Sequence, residues 1–225
     1  MSTTTASAVP PSRSFDEALP FRFVGGDPSF DLVNTVTWTS QGPINDRLGS
    51  YERLIEWARE AGVIDDAEAT RRLRRASARP AEAKAAYEQS RALRWTLQRL
   101  VTALANGGTT TTAVRAPLAE FNKFVAEAYG HLRLAIPGGR SADGSPTSAW
   151  EWSDAPDRLD AVLWPIVRGA AELLASNEVR QFRVCTGPDC GWVYVDRSRN
   201  GLRRWCEMST CGTAEKTRRR RARSG

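Results

Sequence analysis

Residues 185–212 read CTGPDCGWVYVDRSRNGLRRWCEMSTCG. All four cysteines of the 225-residue chain fall in this stretch, at Cys185, Cys190, Cys206 and Cys211, as C-x4-C-x15-C-x4-C. Four thiolates make a closed, soft donor set that suits Zn²⁺ and leaves no open position for catalysis. The two common ferredoxin spacings are absent, which sets an iron–sulfur cluster behind zinc. Some 45 residues bury little apolar surface of their own. One structural zinc ion, worth about 10–16 kcal/mol in small peptides, is expected to carry the local fold. Each pair ends in Cys-Gly, at Gly191 and Gly212, where a glycine lets the chain turn back over the metal. Trp192–Val195 alternates as a strand, Asn200-Gly201 is a hairpin signal, and Leu202–Trp205 is expected to return as the second strand.

Charge concentrates at the same end. Residues 178–225 hold 12 Lys+Arg against 5 Asp+Glu, a net of +7, whereas the rest of the chain is close to neutral. Such asymmetry points to an acidic polymer as partner. Arg197, Arg199, Arg203 and Arg204 border the expected hairpin. Lys216, Arg218, Arg219, Arg220, Arg221 and Arg223 follow the last cysteine. Guanidinium groups donate paired hydrogen bonds to phosphate, and Arg203 and Arg204 are the best-placed candidates for base edges. Trp192 and Trp205 could stack on bases, though packing around the metal is the commoner use.

Upstream of residue 178 the pattern is mainly helical. Residues 1–20, rich in Ser, Thr, Ala and Pro, are expected to be disordered. Phe21–Val24 reads as a short strand, and Phe30–Val36 fits either a strand or a short helix. Ser50 caps a helix to about Ala61, and Asp65 with Glu68 starts another. A long helix runs from Pro80 to about Asn106, and a fourth places Leu118, Phe121, Val125 and Tyr129 on one face. Thr109–Thr112 and Pro137–Pro146 read as loop and turn. On either side of that turn, His131–Ile136 and Trp150–Trp152 suit a hairpin. Ser153–Pro156 begins a fifth helix, in which Pro165 is expected to cause a kink or remove one backbone bond.

The cysteine-bearing stretch resembles the CGNR zinc-finger family. The resemblance rests on Arg183-x-Cys185, Cys190-x-Trp192-x-Tyr194-x-Asp196-x-Ser198, Arg203-Arg204-Trp205-Cys206-x-Met208 and Cys211-Gly212. At the front, Phe23 with Gly25-Gly26, followed by Leu32-Val33-Asn34-Thr35, is similar to the start of the ABATE domain. The resemblance implies a bacterial transcription regulator with a mixed α and β front domain over residues 21–177. That domain would sense a small-molecule effector or form a homodimer. It further implies a treble-clef-like zinc module over 178–215 that binds DNA, with a basic tail at 216–225. The signature tetrapeptide here reads Cys211-Gly212-Thr213-Ala214, so its Asn and Arg are absent. The fold class expected is therefore mainly α with a minor β component (α+β), plus a small four-cysteine zinc module.

Asp31 and Asn34 are polar positions in an apolar run and could line a ligand pocket, or else cap nearby backbone. Trp150 and Trp152 would share one side of a strand, as an aromatic wall or as core. His131 is the only histidine and has no partner set for nucleophilic catalysis. No serine elbow or nucleotide fingerprint is present, so an enzyme is not expected. No apolar run is long enough for a membrane span, and the N-terminus does not read as a secretion signal. A cytoplasmic protein with reduced thiols is expected, a setting in which paired cysteines mean metal more often than disulfides. Two other uses of the module stay open on sequence alone: docking another protein, or sensing oxidant through its thiols.

Overall fold

The computed structural model describes residues 9–108, 112–136, 148–153 and 158–224. Asp27 caps a short helix, α1 (Pro28–Val33), whose first position is the proline. Cap and pre-set φ together decide the strand-or-helix ambiguity in favour of helix. A small hairpin follows, β1 (Thr37–Thr39) against β2 (Gly42–Ile44). Helices α2 (Tyr51–Glu60) and α3 (Asp66–Ala78) begin where expected, because Ser50 and Asp65 accept the amides of Arg53 and Glu68.

Helix α4 (Pro80–Ala105) is the axis of the molecule. Its 26 residues span about 39 Å, and Ala83, Tyr87, Leu93, Leu97 and Leu100 form a buried stripe. Helices α1, α2 and α3 pack against it, as does α5 (Thr112–Gly130). The buried face of α5 is Val114, Phe121 and Ala128. Leu118 and Tyr129, expected on the core side, are exposed. Phe121 of the expected row is buried and Val125 packs against the core, so packing against α4 shifts the buried face rather than replacing it.

Strands β3 (Leu132–Ala135) and β4 (Ala149–Trp152) pair antiparallel, as the alternation suggested. Trp152 packs at a tilt on Trp164, 5.8 Å between ring centroids, whereas Trp150 is 56% exposed and does not join the core. His131 lies flat on Trp164 at 4.3 Å. The expected fifth helix is divided into a 3-10 turn, Leu159–Leu163, and α6 (Trp164–Ala175). Pro165 therefore occupies the first turn of α6, where no kink arises because its missing N–H has no intrahelical acceptor. The expected turn at Pro137–Pro146, the residues Asp154–Pro156, Thr109–Thr111 and the first eight residues lie outside the described residues.

Within residues 1–20, expected to be disordered, Arg13 N–H donates to Pro43 O on β2 at 2.9 Å, and the chain continues beside Asn45 and Asp46. Asp46 N–H donates to Ser14 O at 3.0 Å and Asp16 N–H to Asp46 O at 2.9 Å. Phe21–Val24 is extended but forms no strand. After a second 3-10 turn, Asn177–Gln181, β5 (Phe182–Val184) pairs antiparallel with β6 (Val193–Val195). This corrects the expected hairpin. Leu202–Trp205 does not return as a strand, because Phe182–Val184 already occupies the edge of β6. Instead Asp196 gathers the turn, accepting from Ser198 N–H and Arg203 N–H. A last helix, α7 (Thr213–Ser224), ends the described chain.

Phe182, Val193 and Val195 belong to the same apolar core as Phe30, Leu97 and Ile166. The sequence boundary near residue 178 thus separates two patterns within one continuous core. A buried ion pair ties this core together. The Arg94 guanidinium grips Asp46 with two bonds, at 2.7 and 3.0 Å, and also reaches Thr35. The two side chains are 2% and 0% exposed. Removing one partner strands the other charge away from water. Asp46→Ala should therefore lower the unfolding free energy in urea by about 3–5 kcal/mol, and the double variant Asp46→Leu with Arg94→Met should lose less than Asp46→Ala alone.

Candidate metal centre and basic face

Strand β5 delivers Cys185, and the pairing continues past it, since Cys185 N–H donates to Trp192 O at 2.7 Å. A tight turn returns the chain to Cys190. Gly191 then takes φ +64°, and a Cβ there would stand 2.1 Å from the Trp38 carbonyl, so only glycine fits. The second pair is built differently. Cys206 follows the turn held by Asp196, and Cys211 lies in a π turn, Met208–Gly212, that runs into α7. Gly212 does not have a positive φ; it is small because Met208 packs over it. The two Cys-Gly pairs are therefore not a repeated knuckle. One is a hairpin turn and the other a helix start, the treble-clef-like arrangement.

The four Sγ atoms lie within 4.8 Å of one another. Three of the cysteines are buried and Cys211 is half-buried. Cys185 Sγ accepts main-chain N–H bonds from Gly187 at 3.3 Å and Cys206 at 3.2 Å. Hydrogen bonds from the Cys190 and Cys206 thiols, then these amides, push the Cys185 thiol down to about 2. Cys190 and Cys206 are pushed up, chiefly by their bonds to Cys185, and Cys211 is raised by burial. Without a cation only one sulfur of such a cluster favours the charged form; a bound cation would let all four be negative, and ligation would release the remaining protons. The donor set and its two amide bonds fit a structural zinc-type ion.

The centre is sewn to the front half by hydrogen bonds, each with a main-chain group as at least one partner. Asn34 exchanges two with Val193, donating to its O and accepting from its N–H, both at 2.9 Å. Val195 N–H donates to Gly25 O, Trp38 N–H to Cys190 O, and Trp192 Nε1 to Val36 O. Asp31 accepts from Gly25 N–H at 2.7 Å. Asp31 and Asn34 are 7% and 1% exposed. Expected as candidate pocket residues, they are spent instead on backbone, for which a carboxylate and an amide supply the matching acceptors and donor.

The basic residues divide into two groups. Arg203 lies over Tyr194 at 4.2 Å and donates to Trp205 O, Val24 O and Cys206 O. It is a brace, and is not available for base edges as expected. Arg197 is likewise held by Glu178 and Gly26 O. Arg197 is nonetheless exposed, as are Arg199 and Arg204, with Arg204 resting 5.6 Å over Trp205. Trp192 and Trp205 pack within the cysteine cluster, as the packing alternative had it. The basic tail is the helix α7. Buried Glu215 holds Arg218 and Arg219 at 2.9 and 2.7 Å, and Lys216, Arg220 and Arg221 are exposed on it. Sequence reasoning missed Gly187, where a Cβ would meet Cys211 Sγ at 2.9 Å. Its signal was a glycine two residues after a ligand, where an amide can turn toward sulfur.

A closed four-thiol centre between a β hairpin and a helix defines a zinc-finger protein. Residues 181–224 match the CGNR zinc finger family. Residues 26–177 match the ABATE family, described as a putative stress-induced transcription regulator, and the chain belongs to that family. No curated protein matches the chain significantly. Among the described residues no helix is long and apolar enough to cross a membrane.

Three outcomes follow from this geometry. Cys206→Ser should abolish stoichiometric zinc in the purified protein. Gly187→Ala should weaken zinc by roughly 10–100-fold, read by competition with a chromophoric chelator. Third, burial raises the Asp31 carboxyl from 3.8 to about 6. The folded state therefore binds the extra proton between these values, and Asp31 costs stability as pH rises through that window. Asp31→Asn should flatten the dependence between about pH 4 and 6, by up to about 3 kcal/mol, in urea titrations at several pH values.

Proposed function

We propose that this protein is a DNA-binding transcription regulator in which one structural Zn²⁺ on Cys185, Cys190, Cys206 and Cys211 positions a basic helix for phosphate contact. The observation that carries the reading is the junction at Cys211–Thr213, where a metal ligand runs directly into α7. Lys216, Arg220 and Arg221 with Arg199 and Arg204 supply the phosphate-binding surface, and Arg218 and Arg219 add to it while oriented by Glu215. Lys and Arg contacts of this kind position a protein on the duplex, and base reading needs further contacts. Without the family's Asn-Arg pair after Gly212, Arg204 is the side chain left for that task.

The front half acts as a sensor of a small-molecule effector or as a dimerisation domain, and the protein works in the bacterial cytoplasm without catalytic activity. Self-association is supported by the β3–β4 hairpin, on which Leu134, Ile136 and Trp150 stand exposed together, since apolar patches of this sort mark interaction sites.

Binding of the zinc-loaded chain to a fluorescent 20-base-pair duplex tests the reading. Log Kd should rise steeply with log salt. Replacing Lys216, Arg220 and Arg221 by Ala should reduce the slope by about 2–3. Binding that is flat between low and high salt, or a slope unchanged in the triple variant, contradicts it and favours docking to a protein.

A further inference from the structure

The stretch RSRNGLRR at 197–204 holds four arginines, no acidic residue and one large apolar side chain, Leu202. Leu202 is 72% exposed, the most of any large apolar side chain among the described residues. The backbone on both sides of it is fixed. Asp196, itself 2% exposed, accepts from Ser198 N–H at 3.1 Å and from Arg203 N–H at 3.0 Å, and so closes the turn. Inside the turn Gly201 takes φ +62° and donates to Ser198 O at 3.1 Å, while Asn200 Oδ1 accepts Leu202 N–H at 3.4 Å. Beyond it, Tyr194 Oη donates to Arg203 O at 2.7 Å. Thr186 donates to Arg204 O through both its N–H and its hydroxyl, each at 3.0 Å. A partner that buries Leu202 therefore need not first order the loop that carries it.

Charge points to the partner. Arg199 and Arg204, three residues before Leu202 and two after it, are exposed. Apolar docking to a protein or a bilayer uses a contiguous patch. A single apolar side chain among arginines suits a stack of base pairs instead, where a leucine can act as a wedge entered from the minor groove. Such a wedge unstacks one step and bends the duplex, and arginines are drawn to the same groove.

We propose that Leu202 is a DNA-bending wedge: the turn at 197–204 enters the minor groove and Leu202 inserts between base pairs, with Arg199 and Arg204 contacting the adjoining backbone and base edges. This rests on the DNA-binding reading above and names the groove and the side chain that acts there. Unstacking is easiest at a pyrimidine–purine step such as TA and hardest in a stiff A-tract. The wedge thus discriminates by deformability, which needs neither the Asn nor the Arg absent after Gly212.

The test titrates the full zinc-loaded chain against two 20-base-pair duplexes of equal A·T content, one with central TA steps and one with an uninterrupted A-tract. Each carries a donor–acceptor dye pair at its ends. At saturation the TA duplex should bend by roughly 20–90°, read as a rise in energy transfer. Leu202→Ala should abolish the bend and weaken the TA duplex about tenfold, but the A-tract only about twofold. Zinc content and salt slope should stay unchanged, since no charge is lost, and Leu202→Phe should keep the bend. No bend with the native chain, an equal bend in Leu202→Ala, or an equal loss on both duplexes overturns the wedge, while salt-dependent binding would leave the regulator reading standing. Failure to bind either duplex overturns both. Binding to phosphatidylserine vesicles that Leu202→Ala abolishes, with duplex affinity and bend untouched, assigns the leucine to a membrane and also overturns the wedge.

Discussion

Strand β6 is the constraint on which the rest of the structure depends. One face of Val193–Val195 fills the core beneath α4, and the chain on either side carries metal ligands and the Asp196 turn. Its backbone is claimed from several directions: Val184 and Phe182 across the β5 pairing, Asn34 on Val193, and Gly25 on Val195. Main-chain groups buried at such a position must be paired. Asn34 meets that demand because one amide side chain offers both an acceptor and a donor, as a neighbouring strand would. The finger is consequently not a bead on a string. Its hairpin is part of the front domain, and only the ligand turns and α7 extend beyond the shared core.

This placement explains the division among the arginines. Arg203 and Arg197 face back toward residues 24–26 and are consumed in joining the two halves. Arg22 and Glu207 form a further ion pair across the same seam. Arg199, Arg204 and the basic residues at 216–221 of α7 face outward.

Much of this was legible in the sequence. Paired cysteines fixed the ligand set, because nothing else places four thiols so close in a short stretch. Helices α2, α3 and α4 were readable since their caps and starts, Ser50, Asp65 and Pro80, act locally. What failed was non-local. The partner of β6 is Phe182–Val184, and no local signal distinguishes it from Leu202–Trp205 once both neighbour a turn. Likewise two overlapping rows on α5 share the helical period, and only contact with α4 separates Val114, Phe121 and Ala128 from Leu118 and Tyr129. Asp31 and Asn34 were correctly singled out as unusual, but their partners lie on Gly25 and on Val193, the latter 159 residues away. The Arg94–Asp46 pair gave no sequence signal at all.

Hydrogen exchange read by mass spectrometry, on the zinc-loaded protein and after metal removal by a chelator, tests the central claim most directly. The account predicts that protection is lost over residues 185–192 and 203–224, where the metal fixes turns and the start of α7. It predicts that α4, β5 and β6 stay protected, because their core does not depend on the ion. Loss of protection along the whole chain would show that the metal carries the entire fold, and unchanged protection of α7 would show that the helix is placed without it; either result contradicts the account.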